Sequence, residues 1–123
     1  MLKELHTVLP AANLQRARTF YHDKLSLDPD QVVDGSLMYH LSPEMGFEIY
    51  ETSNAGTAQN TQMSWMSDDL ESEMSTLRER GVVFEEYDVP GMKTVSGVAT
   101  MDGMKAAWFR DSEGNFICIS QRM

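Results

Sequence analysis

Residues 2–9, LKELHTVL, alternate apolar and polar positions as a half-buried strand does, and Pro10, with no N–H to donate, is expected to end that ladder. Asn13 then suits a helix N-cap, and Leu14, Ala17, Phe20, Tyr21 and Leu25 follow at helical spacing. The spacing predicts one helix with a single apolar stripe to lay on a sheet. Three short runs, LDPDQVVDG, SLMYHL and MGFEIYET, read as strands separated by Gly, Ser and Pro. The order up to residue 51 is therefore βαβββ.

Residues 52–60, TSNAGTAQN, are small and polar without periodicity, as a linker is. A second unit opens with the candidate strand TQMSWMS. Asp68 with Glu71 three residues later resembles a capping box, and Leu70, Met74 and Leu77 give a helical stripe that Gly81 ends. VVFEEYDV reads as the next strand, Val95–Thr100 as a third, and Lys105–Gln121 as a hairpin around the polar turn Asp-Ser-Glu-Gly-Asn. Residues 1–51 and 61–123 thus repeat one βα-then-strands plan. Two units that each leave a sheet face uncovered are expected to share one core, as a single α+β domain over 1–123 with helices outside and a central cleft.

Composition narrows the function classes. Ten Lys and Arg against nineteen Asp and Glu give a formal charge of −9, which disfavours nucleic acid and anionic membranes and permits a cationic ligand. No apolar run reaches the ~20 residues of a membrane span, and MLKELHTVLP lacks a secretory apolar region, so a cytoplasmic protein is expected. The one cysteine excludes an internal disulfide and any multi-cysteine zinc motif. Ten methionines suit either an adaptable ligand cavity or an irregular interior. No phosphate loop, nucleophile elbow or paired-cysteine motif is present.

Four strings, HTVLPAANLQRARTFYHDKLSL (6–27), FEIYE (47–51), SDDLESEMSTLRERGV (67–82) and AWFRDSEGNFICIS (107–120), resemble the vicinal oxygen chelate superfamily in their order. That superfamily includes glyoxalase I, bleomycin-resistance proteins and extradiol dioxygenases. The resemblance implies a glyoxalase-like fold, two βαβββ repeats forming a cup-shaped mixed sheet, commonly paired as a homodimer. It also implies a divalent metal such as Zn, Ni, Mn or Fe, with ligand positions at His6, Glu48, Gln62 and Cys118. Gln62 stands where a His is usual, and Cys118 where a glutamate serves as both ligand and base. His22 and His40 are not expected to substitute, because His22 lies on the solvent side of its helix and His40 in a different strand.

Each candidate also has a reading from its own chemistry. In Phe47-Glu48-Ile49-Tyr50 the apolar pair points one way and Glu48 with Tyr50 the other, so Glu48 faces either a cation, a donor, or water. His6 between Leu5 and Thr7 suits a ligand or a hydrogen-bonded structural residue. Gln62 offers only a neutral amide oxygen. Cys118 between Ile117 and Ile119 suits a thiolate ligand or a buried thiol. Lys93, Lys105 and Arg110 read as surface charges.

The expected cleft is lined by His6, Glu48, Tyr50, Gln62, Ser64, Phe109 and Cys118, with Glu48 the catalytic candidate and Tyr50, Ser64 and Phe109 the substrate contacts. The expected function is a glyoxalase-like or bleomycin-resistance-like protein that binds a small organic molecule. Metal-dependent lyase or isomerase chemistry and metal-free sequestration both remain open on the sequence.

Overall fold

Asn13 caps its helix as expected, its Oδ1 accepting from the Arg16 N–H at 2.9 Å. In the computed structural model, which describes residues 1–123, the first unit runs β1 (Leu5–Ala11), α1 (Leu14–Leu25), β2 (Gln31–Val33), β3 (Ser36–Ser42) and β4 (Met45–Glu51). Its sheet has the order β1-β4-β3-β2, with β1 parallel to β4. Pro10 does not end β1: it pairs with Tyr50, and β1 is an edge strand, where a missing N–H is tolerated.

The second unit runs β5 (Thr61–Met66), α2 (Leu70–Glu79), β6 (Asp88–Val89), β7 (Met92–Val95), β8 (Val98–Met101), β9 (Met104–Arg110) and β10 (Phe116–Arg122). Its sheet order is β5-β10-β9-β8-β7-β6. Asp69, not Asp68, caps α2, through a 3.1 Å bond from the Ser72 N–H. The expected strand at Val95–Thr100 is two strands, because Ser96 and Gly97 both take positive φ and turn the chain back. VVFEEYDV contributes only β6 and an isolated bridge from Phe84 to Phe109.

One core serves both units. Ala17 and Tyr21 of α1 and Leu70, Met74 and Leu77 of α2 bury against Leu9, Phe47, Ile49, Phe109, Ile117 and Ile119 of the two sheets. Tyr39 and Phe47 stack at 4.5 Å, while Phe47 meets Trp65 at 6.0 Å and Phe20 meets Phe109 at 6.5 Å, both across the unit boundary. Burying a side chain as large as Phe47 stabilises by about 1.5–3 kcal/mol, so each unit depends on the other. Both helices thus lie outside a mixed-sheet cup, and its opposite face is open. No helix is long and apolar enough to cross a membrane.

Candidate functional site

Strand alternation decides what the open face carries. Leu9 and Ala11 of β1 and Phe47 and Ile49 of β4 point into the core, so His6, Val8 and Pro10, with Glu48 and Tyr50, point the other way. Val8 and Glu48 are register partners, as are Pro10 and Tyr50. Val8 and Tyr50 are 48% and 42% exposed, which places apolar surface directly beside the Glu48 carboxylate. Glu48 is half-buried and has no ion-pair partner in the chain.

The second unit supplies the other half of this face. Ile117 and Ile119 enter the core, leaving Cys118 on the open side in register with Ser64 and Trp108. Ser64 is exposed, but Cys118 is only 7% exposed. Burial pushes the Cys118 thiol up from its ordinary value, against a smaller opposing effect of the Ser64 hydroxyl, so it is a protonated thiol at neutral pH. Phe109 does not line the cleft. It is fully buried and packs edge-on to Phe84 at 5.8 Å in the helix-side core, because its register with Ile117 turns it inward. Trp108 takes the open-face position, held by a 3.0 Å bond from its Nε1–H to Thr61 Oγ1 and edge-on to Tyr87 at 5.8 Å.

Gln62 is committed elsewhere. Its Nε2 donates to Asn115 Oδ1 at 2.9 Å and its Oε1 accepts from the Phe116 N–H at 3.0 Å, where the β5–β10 register shifts. The four positions implied for a metal therefore do not fit one. Gln62 has both amide ends occupied, and the donor atoms of His6, Glu48 and Cys118 do not gather within 4.8 Å.

His6 instead faces His40. Both pair with Gly46, so the two imidazoles share one row of the open face with no side chain between them, their centroids 5.6 Å apart and nearly perpendicular. Glu4 completes the group, with its Oε2 against His6 Nε2 and 3.3 Å from His40 Nε2. All three donor atoms lie within 4.8 Å of one another. Asp30 holds the far side of His40, 2.6 Å from Nδ1 and 2.7 Å from its backbone N–H. Asp30 first, then Glu4, raises the His40 pKa above its ordinary value. His40, not expected to substitute as a ligand because it lies in a different strand, thus stands directly beside His6. The signal in the sequence is its even spacing from Met38, once Met38 is aligned with Glu48.

The hairpin turn is more than a reversal. Asp111 accepts from the Glu113 and Asn115 N–H groups at 2.8 and 3.0 Å and from the Tyr21 hydroxyl at 2.7 Å. Asn115 donates to the Pro10 carbonyl at 3.0 Å. Glu113 accepts from the Ala12 and Asn13 N–H groups and from Arg16, at the start of α1. Its burial would raise its pKa, but Arg16, the Asn13 N–H and the Ser112 hydroxyl outweigh that and lower it to about 2. This turn locks the second unit onto β1 and α1, and so sets the angle between the two halves of the open face.

No family model matches the chain, and no curated protein matches it. Solved structures do. A glyoxalase/bleomycin resistance protein from Catenulispora acidiphila DSM 44928 superposes with a TM-score of 0.70 at 20% identity, covering 98% of this chain and 99% of that one. Another from Albidiferax ferrireducens T118 gives 0.69 at 20% identity over 96% and 97%. TnmS3, an antibiotic binding protein from Streptomyces sp. CB03234, gives 0.67 at 19% identity over 100% and 99%. The likeness runs over nearly the whole chain in each case, and the chain therefore has the α+β fold of the glyoxalase and bleomycin-resistance proteins, as the resemblance to the vicinal oxygen chelate superfamily implied.

Proposed function

We propose that the chain binds a small, partly apolar and cationic organic molecule on the open face of its two sheets. The observation that carries this reading is Glu48, a half-buried carboxylate with no cation of its own, set beside Val8, Pro10 and Tyr50. A carboxylate so placed favours a positive group, and the apolar rim favours a flat or aliphatic body next to it. Ser64, Trp108 and Met66, which is 49% exposed, supply the facing wall. Two solved relatives in fold carry bleomycin resistance in their names and a third is an antibiotic binding protein, which supports a ligand of antibiotic size.

Sequestration is favoured over metal-assisted isomerisation by the state of the last strand. The position that would carry the base holds the buried, protonated Cys118. Glu48 is accordingly the ligand's counter-ion in this reading. The protein acts as a cytoplasmic homodimer, a second copy closing over the open side, where Val8 and Tyr50 expose 48% and 42% of their surface.

Calorimetric titration with metal-free bleomycin, a cationic antibiotic with a flat aromatic tail, tests the reading. Saturable binding that weakens about tenfold in Glu48→Gln, ~1.4 kcal/mol, is the expected result. Binding that Glu48→Gln leaves unchanged overturns the role of Glu48.

A further inference from the structure

We propose that Glu4, His6 and His40 form a binding site for a divalent transition-metal ion of the zinc class, a set that shares only His6 with the four positions implied for this fold. The site is built by the sheet. β1 and β3 flank β4, and Gly46, the register partner of both His6 and His40, puts no side chain between them. A Cβ at Gly46 would lie 2.1 Å from the Tyr39 carbonyl oxygen and 3.0 Å from His40 Cα, so a larger residue displaces His40.

The polarity of the group asks for a cation. A carboxylate only accepts hydrogen bonds, so the 2.6 Å contact with Asp30 Oδ2 places a proton on His40 Nδ1 and turns Nε2 toward Glu4 as the ring nitrogen that would ligate a metal on giving up any proton of its own. That Nε2 lies 3.3 Å from Glu4 Oε2. His6 Nε2 is shielded from solvent, makes no well-directed hydrogen bond, and meets the same Glu4 oxygen. Two imidazole nitrogens thus converge on one anionic oxygen. A single divalent ion satisfies all three at once.

The donor types choose the ion. Two imidazoles and one carboxylate suit Zn, Ni, Co or Fe(II) and not Mg or Ca, which take oxygen shells. Asp30 behind His40 is the carboxylate–histidine support that metal-binding histidines usually have, fixing both the tautomer and the ring direction. Three protein ligands leave a coordination position open toward the solvent side of the open face. The inference is independent of the small-molecule reading, because Glu48 takes no part in it.

The test is equilibrium dialysis of tag-free protein against Zn²⁺ alone. One equivalent per chain is expected for the native sequence, for Glu48→Gln and for Cys118→Ser. Glu4→Gln and His40→Ala should each lose saturable binding, and Asp30→Asn should weaken it by about 10–100-fold. Glu4 is 41% exposed, so its variant keeps the fold, which circular dichroism checks. Absence of stoichiometric Zn²⁺ in the native protein overturns the proposal. So does binding that survives Glu4→Gln but is lost in Glu48→Gln or Cys118→Ser.

Discussion

Arg16 and Glu113, 97 residues apart in sequence, meet fork to fork, Nε to Oε2 at 2.8 Å and Nη2 to Oε1 at 3.0 Å. The Glu113 side chain is fully buried while that of Arg16 is 54% exposed. The pair ties the last hairpin to the start of the first helix, so it bears on the whole open face. Glu113→Ala removes the acceptor for five donor contacts from α1, its leading residues and Ser112, and should cost roughly 2–4 kcal/mol in urea unfolding. Arg16→Ala should cost less, because the backbone N–H groups and Ser112 still serve Glu113. Equal or reversed costs would contradict the turn's role as the joint between units.

The same carboxylate sets an acid limit on stability. Its folded pKa of about 2 lies below the ordinary 4.5, so its stabilisation is complete above about pH 4.5 and disappears as pH falls through about 2. Urea midpoints from pH 6 to pH 2 should therefore bring the native protein and Glu113→Gln closer together as the pH drops. A gap that stays constant would mean that Glu113 is not held ionised.

Gln62 is expected to be a structural residue. Gln62→Ala leaves the Phe116 N–H and Asn115 Oδ1 without their partners and should cost about 1–3 kcal/mol, measured by thermal or urea unfolding. Its Zn²⁺ binding should equal that of the native protein.

Cys118 should resist a small alkylating thiol reagent in the folded state at neutral pH and react on unfolding, since burial both covers the thiol and keeps it protonated. Mass spectrometry of a timed reaction reads this directly. Fast modification of folded protein would place the thiol in an accessible cleft.

The fold was legible where one local pattern sufficed. Asn13 and the stripe from Leu14 to Leu25 define α1, and Phe47-Glu48-Ile49-Tyr50 states which of its side chains face inward. What stayed hidden depends on pairing between strands. Phe109 and Trp108 are neighbours on an alternating strand, and only the register with Ile117 and Cys118 shows which one is buried. Gln62 sits at a register shift, where alternation gives no answer. His40 joins His6 only through their shared partner Gly46. The Asp-Ser-Glu-Gly-Asn turn has local chemistry that any hairpin explains, while its bonds to Pro10, Arg16 and Tyr21 are long-range.

The central claim is the location of the ligand, and a ¹H–¹⁵N spectral titration with metal-free bleomycin tests it most directly. A rival location exists: a groove of about 490 Å³ on the helical side, lined by Leu25, Leu27, Trp65, Asp69 and Leu77 among others. The predicted result is saturable shifts concentrated at Val8, Glu48, Tyr50, Ser64 and Trp108. Shifts confined to Leu25, Leu27, Asp69 and Leu77, with the open face silent, would contradict the account.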